Sequence, residues 1–279
     1  MGTTGYVRRV ARRLVVTGGA GFLGRRVCGL AAGEGWEVVA PSSAELDVRD
    51  LAGLTDLVRS VRPDALVHLA YRRAERDIIV DGSRNVASVA ATTGVRLVHL
   101  STDMVFGGQE VPYVEADPPG PVGAYGIAKT AAEAAVSAAA PDAVLVRTSQ
   151  LLGEPDDLGQ PQLDVVAAAT GDQPFTFFTD EFRCPALAID VARGVLALAR
   201  DTAGRAGAAA AVSGPLHLAG PEALSRIELA RRIARQLGLD PDRLVSASQA
   251  DAGVAGTRPG RVVLDSSAAA ALGLTCRPV

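Results

Sequence analysis

Five short apolar runs recur along the first half of this chain: LVV at 14–16, WEVVA at 36–40, ALVHLA at 65–70, RLVHLS at 96–101 and AVLVR at 143–147. Most are rich in β-branched residues and apolar throughout, the pattern of strands buried on both faces. Between them lie stretches of helical composition, Phe22–Ala32, Leu51–Val61, Arg84–Thr93 and Tyr125–Ala139. Parallel neighbours need long crossovers, and a helix supplies one. The alternation predicts an α/β fold, a doubly wound parallel sheet with helices on both faces.

The turn after the first run is the strongest local signal. Leu14 to Gly24 reads LVVTGGAGFLG, with Gly18, Gly21 and Gly24 at intervals of three. Glycines there let the backbone turn tightly and approach a phosphate, which rests on the positive end of the following helix. A strand before and a helix after make this a dinucleotide-binding turn of Rossmann type. Phe22, Leu23 and Arg25 at the helix start join the expected cofactor contacts, as do Leu69, Ala70 and Tyr71 after the third run. The second run ends Ala40, Pro41, Ser42, Ser43, without an acid to hold the ribose hydroxyls. Ser42 and Ser43 suit a 2′-phosphate, and Arg25 or Arg26 either adds charge there or faces solvent. NADP is therefore favoured, with NAD as the alternative. Asp47, followed by Val48, lies either near the adenine or at the next helix as its cap.

Past about Leu151 the alternation loosens. GEPDDLGQPQ reads as a loop, Pro174 to Pro185 is irregular, and IDVARGVLALAR reads as a helix. TAGRAGAAAAVSG reads as flexible and PLHLAG as a strand. SRIELARRIARQLG then puts Ile227, Ala230, Ile233, Ala234 and Leu237 on one helical face. Residues 11–150 with 186–218 are thus assigned to a dinucleotide-binding domain, and 151–185 with 219–279 to a smaller carboxyl-terminal substrate lobe.

Composition narrows the function classes. The net charge is −3, and apart from an amino-terminal cluster of Arg8, Arg9, Arg12 and Arg13 the arginines are scattered or interleaved with acids. No basic stripe suggests nucleic acid. Cys28, Cys184 and Cys276 have neither metal-ligand spacing nor a disulfide framework, which fits a reducing compartment. MGTTGYVRRVARR lacks the apolar core of a signal peptide and no run approaches a membrane span, so a soluble, cytoplasmic protein is expected.

Lys129 is the only lysine; the other 27 basic residues are arginines. It follows Tyr125 by four positions in AYGIAKTAAEAA, so the two share a helical face. A phenol, with a pKa near about 10, is a poor acid–base group at neutral pH, and a nearby ammonium brings that value down. The ammonium is a compact charge with three rotatable donors, where a guanidinium is bulkier and planar. A hydroxyl to hold a carbonyl is available where the fourth run ends, at Ser101 or Thr102, and ligands gather at such strand ends. His68 and His99 lie within apolar runs and read as core residues.

Together these residues resemble the extended short-chain dehydrogenase/reductase family. Within it they look most like the dTDP-4-dehydrorhamnose reductases and the related β subunit of methionine adenosyltransferase. VTGGAGFLG resembles the cofactor loop, PDALVHLA the fourth strand, STDMVFGG the branch's STDYVFDG, YGIAKTAAE its YGxxKxxxE and VRTSQLLG its RTSWVYG. FRCPALAIDVA and TRPGRVVLD are similar to later segments.

The resemblance implies Tyr125 as proton donor, Lys129 as its activator and ribose ligand, and Thr102, ahead of Ser101, as the group polarising a carbonyl. It implies reduction of a 4-keto group on a nucleotide-linked deoxysugar, with Met104, Val105, Phe106, Gln150, Arg183 and Arg258 on the substrate side. The two arginines either face a diphosphate or make ion pairs. Related 4,6-dehydratases follow the threonine with Asp and Glu; here Met104 follows Asp103, which disfavours dehydration. The chain departs from the branch in a shortened segment between Ala70 and Asn85, in Ile79 where relatives carry an asparagine, and in Gln150 where they carry tryptophan. Family members often form homodimers, a state open to this chain. A regulatory NADP-binding subunit, or an epimerase or reductase of a non-sugar metabolite, is the alternative.

Overall fold

A computed structural model of the chain describes residues 11–171, 175–200 and 212–279. Arg8, Arg9 and most of TAGRAGAAAAVSG lie outside the described residues. The first half runs β1 (Arg13–Thr17), α1 (Phe22–Gly33), β2 (Glu37–Val39), α2 (Leu51–Val61), β3 (Ala65–His68), α3 (Arg76–Thr93), β4 (Arg96–Thr102), α4 (Ala124–Ala139) and β5 (Val144–Thr148). The second half runs β6 (Leu151–Leu152), α5 (Gln160–Thr170), β7 (Thr176–Phe178), β8 (Phe182–Arg183), β9 (Ala186–Leu187), α6 (Ala188–Arg200), β10 (Gly214–His217), β11 (Leu224–Ser225), α7 (Arg226–Gln236), β12 (Val245–Ala247) and α8 (Ser267–Ala271).

Six strands form one parallel sheet in the order β10-β5-β4-β3-β1-β2. The chain leaves β1 toward β2 on one side and returns to β3 on the other, so strand order reverses at β1. A crevice opens at that reversal, at the carboxyl ends of the strands. Both faces are covered. Leu14, Val16, Val67, Val98 and Val146 pack with Val27 of α1 and Val195 of α6, while Val15, Leu66, Leu97 and Leu145 pack with Leu54, Val86 and Val136 of α2, α3 and α4. This is the doubly wound sheet that the unbroken apolar runs predict. The remaining strands make two-stranded pieces, and α5, α7 and β7 share a separate core around Val165, Phe177, Ile227 and Ile233.

Three expectations are corrected. PDALVHLA forms the third strand in chain order, because the preceding ELDV is taken up by turns, with Asp50 N bonded to Asp47 O at 2.9 Å. Helix α3 begins at Arg76, well before Arg84; Asp77, Asp81 and Gly82 hide the apolar period carried by Ile78, Ile79 and Val86. Gly82 is needed there, since a Cβ would lie 2.6 Å from Val48 Cγ2. Lastly, α5 starts inside GEPDDLGQPQ, with Pro161 in its first turn, where a missing N–H costs nothing.

Candidate active site

At the crevice, β1 runs into Gly18, which adopts φ 74°. A Cβ on Gly18 would sit 2.7 Å from Ala70 N, and one on Gly24 would run into the Gly18 carbonyl oxygen. Gly21 N donates to that same oxygen at 3.0 Å. Helix α1 has no side-chain cap and no acid in its first turn, so its leading N–H groups remain available to an anion. These features fit a dinucleotide's diphosphate. Leu23 is buried in the core beneath, and Phe22 is half-buried under the Arg26 guanidinium, 4.1 Å from its ring.

Charge near the ribose end is arranged differently from the sequence expectation. Arg25 forks onto Asp157 at 3.0 and 3.1 Å, and Arg26 pairs with Glu154 at 2.7 Å, tying α1 to the loop before α5. Ser42 donates from both amide and hydroxyl to Glu45 at 2.8 Å, while Ser43 is exposed. Asp47 does not cap α2; Asp50 does, accepting from Gly53 N at 3.0 Å. Hydrogen bonds from Arg49 hold the Asp47 carboxyl down at about 2, and Arg49 reaches on to Asp77 at 2.6 Å. Val48 is buried among Leu54 and Ile78, a core residue rather than a cofactor wall.

Thr102 ends β4 and Tyr125 opens α4, and Thr102 is among the groups acting on the Tyr125 phenol. Thr102 Oγ1 also accepts from Met104 N at 3.2 Å. Exposed Tyr71 places its ring 6.0 Å from that of Tyr125, and the Arg73 guanidinium lies 5.0 Å from the Tyr125 ring. Leu69 N bonds to Thr17 O at 3.0 Å, and Ala70 abuts Gly18, so this strand end borders the glycine turn.

One electrostatic expectation fails. Burial, with Tyr71 and Asp103 nearby, pushes the Tyr125 phenol well above its ordinary value, against the pull of Arg73 and Thr102; Lys129 is not among the leading causes. Lys129 is itself buried, with Nζ donating to Leu100 O at 2.7 Å and lying 3.4 Å from His99 Nε2. Burial brings its pKa down to about 8, against the attraction of Glu133. The shared helical face puts both residues above the end of β4, but the long lysine chain reaches back to the strand. In this arrangement Tyr125 carries its proton at neutral pH. His68 and His99 are buried and neutral, as core histidines should be.

On the substrate side the structure redistributes the expected residues. Val105 and Phe106 are fully buried; the Phe106 ring stacks on Tyr113 at 3.9 Å, so both belong to the core. Arg183 is also buried, donating to Phe182 O and Gly260 O at 2.7 Å and to Pro259 O at 2.8 Å. Its other neighbours are Asp103 at 3.7 Å and Glu181 at 3.4 Å, which realises the ion-pair alternative. Arg258 remains exposed at one end of this chain of charges, bonded to Glu181 at 2.9 Å. Met104 is half-buried, with its Sδ 4.0 Å from Arg183. Gln150 O accepts from Ala186 N at 2.9 Å, and its Oε1 is buried without a partner among the described residues.

Sequence reasoning gave no site role to three residues: Asp103, which takes a 2.7 Å hydrogen bond from Ser149; Glu181; and Glu45. Asp103 stood in view only within the STD motif, and Glu45 had a signal in the Ser-x-x-Glu spacing of a capping box. Among the described residues no cluster of His, Cys, Asp or Glu suits a metal, and no helix is long and apolar enough to cross a membrane.

Residues 12–278, nearly the whole chain, match the model of the RmlD substrate binding domain family. The chain belongs to this family. The chain is 31% identical to the dTDP-4-dehydrorhamnose reductase of Mycolicibacterium smegmatis, over 95% of this chain and 82% of that protein. It is 28% identical to the methionine adenosyltransferase 2 subunit beta of Danio rerio, over 95% of this chain and 86% of that one. In fold it resembles the crystal structure of dTDP-4-dehydrorhamnose reductase from Bacillus anthracis str. Ames in complex with NADP. That match has a TM-score of 0.82 at 23% identity and covers 97% of this chain and 95% of the other.

Proposed function

We propose that this protein is an NAD(P)H-dependent oxidoreductase that reduces a keto group on a nucleotide-linked deoxysugar, of the dTDP-4-keto-6-deoxysugar class. The observation that carries the reading is the meeting of a protonated Tyr125, with Thr102 near its phenol, and a buried Lys129 at the strand ends beside the glycine turn. Similarity to a dTDP-4-dehydrorhamnose reductase over nearly the whole chain supports the substrate class.

Gly18, Gly21 and the α1 amino terminus are suited to the cofactor's diphosphate, Ser42, Ser43 and Glu45 to its adenosine ribose, and Lys129 to the nicotinamide ribose. When bound, the cofactor supplies a hydride to the carbonyl carbon. Thr102 Oγ1 holds the carbonyl oxygen, and the Tyr125 hydroxyl gives that oxygen its proton. A phenol held above its ordinary pKa keeps this proton until a stronger base, the developing alkoxide, takes it. Tyr71 and Arg73 cover the tyrosine ring. Met104 follows Asp103 where related dehydratases carry glutamate, which disfavours elimination and leaves the hydroxyl product as the end point.

The test is oxidation of NADPH or NADH by purified protein given dTDP-4-dehydrorhamnose, with the product identified by mass spectrometry. No consumption of either cofactor rejects the reaction. A second reading, an NADP-binding regulatory subunit, is favoured by the likeness to the methionine adenosyltransferase β subunit. It predicts cofactor binding without turnover, and copurification with an enzyme partner.

A further inference from the structure

Resting on the proposed reading of Lys129 as part of the site, a second buried residue gains a role. All three histidines of this chain lie on sheet strands and are buried: His68 on β3, His99 on β4 and His217 on β10. His68 and His99 stand in register on adjacent strands, with rings 5.2 Å apart. Burial, and next the nearby Lys129 charge, keep both rings neutral. A neutral imidazole has one donor and one acceptor nitrogen.

For His68 the neighbours assign the roles. Ser83 Oγ donates to Ile79 O at 2.6 Å, so it accepts from His68 Nε2 at 3.1 Å, and His68 Nδ1 accepts from the Thr17 hydroxyl at 2.6 Å. Thr17 directly precedes the glycine turn. For His99 the roles are reversed. Its Nε2 faces the Lys129 ammonium, which has only protons to offer, so Nε2 accepts. Its proton then sits on Nδ1, buried and without a partner among the described residues.

An unpaired buried N–H lowers stability, and an apolar side chain would avoid it. The ammonium, for its part, has three donors. Leu100 O takes one and His99 Nε2 a second, both from the strand, leaving one uncommitted among the described residues. The groups bearing on Lys129 are Glu133 from its own helix, held in turn by Arg147 of β5, and the neutral rings of His99 and His68 from β4 and β3.

We propose that His99 is a positioning residue for Lys129: by accepting one ammonium proton from the strand side, it fixes the rotation of Nζ and directs the remaining donor to a cofactor hydroxyl.

The test compares wild type with His99→Leu and His99→Gln in the full chain, using two readouts. The first is equilibrium binding of NADPH by fluorescence titration. The second is kcat with dTDP-4-dehydrorhamnose from about pH 6 to about pH 10. His99→Leu is expected to weaken NADPH binding several-fold, to lower kcat by about tenfold, and to move the alkaline limb of the profile to lower pH, because the charged ammonium has lost an acceptor. His99→Gln, whose amide oxygen replaces Nε2 as acceptor, restores most of both readouts. Wild-type binding and an unshifted limb in His99→Leu overturn the proposal, as does equal damage in the two variants. If wild type binds NADPH but reduces nothing, the proposed reaction fails while the binding arm still decides the role of His99. If it does not bind, both fall.

Discussion

Replacing Lys129 by methionine keeps the volume and apolar stem of the side chain but removes a charge that the fold holds against its preference. Burial lowers this amine from 10.5 to about 8, so folding at neutral pH forces the ammonium into surroundings that disfavour it. At ~1.4 kcal/mol per pKa unit, the penalty is about 3 kcal/mol. Methionine forfeits the donors to Leu100 O and His99 Nε2, a loss of about 2 kcal/mol. The variant should therefore be more stable than wild type at pH 7 by ~1 kcal/mol. The sign of the pH dependence follows from the lowered folded-state value. Below pH 8 both states are protonated and the penalty is full; between 8 and 10.5 the folded amine deprotonates first and the penalty fades. Wild type thus gains stability on the methionine variant as pH rises and overtakes it near about pH 9. Urea unfolding of both proteins without added cofactor, at neutral and alkaline pH, measures this directly. A Lys129→Met protein that is less stable at pH 7, or a difference that does not change with pH, refutes the picture of a charge stored in the core.

Three further outcomes follow from particular contacts. Arg147 and Glu133 form a buried pair at 2.8 Å, so Arg147→Met strands a carboxylate and should cost about 3–5 kcal/mol in urea unfolding, much of it recovered by adding Glu133→Gln. No loss on the single substitution contradicts that assignment. Glu45 occupies the Ser42 amide and hydroxyl, so Glu45→Gln should raise affinity for NADPH relative to NADH several-fold in parallel titrations; an unchanged ratio means the 2′-position lies elsewhere. Tyr125→Phe should bind NADPH as wild type does, since its proposed work is on the substrate oxygen; lost binding in that variant places the phenol in the cofactor site.

The sheet was legible because its central strands are buried on both faces and therefore read as unbroken apolar runs. The glycine turn was legible because its spacing follows from close approach: Gly18 meets Ala70 and Gly24 meets the Gly18 carbonyl. Helical periodicity set Tyr125 and Lys129 on one face, but periodicity gives a face and not a partner. A lysine chain is long enough to turn away from its neighbour, and this one ends on Leu100 and His99. Val105 and Phe106 were misplaced because a short 3₁₀ turn at Asp103–Val105 carries the chain inward after β4, onto Tyr113. The fates of Arg25, Arg26, Arg183 and Arg258 were illegible for another reason. Their carboxylates lie in loops whose positions depend on the assembled fold, as with Asp157 over α1 and Asp103 beneath Arg183. An isolated arginine in a sequence gives no sign of such a partner.

In the proposed reaction a protonated Tyr125 delivers the proton that completes ketone reduction. Single-turnover reduction of dTDP-4-dehydrorhamnose by the NADPH complex, in wild type and Tyr125→Phe, tests it most directly. Loss of general acid catalysis predicts a slowing of about 10²–10⁴-fold at unchanged cofactor occupancy. A phenylalanine variant that reduces its substrate at the wild-type rate contradicts the claim.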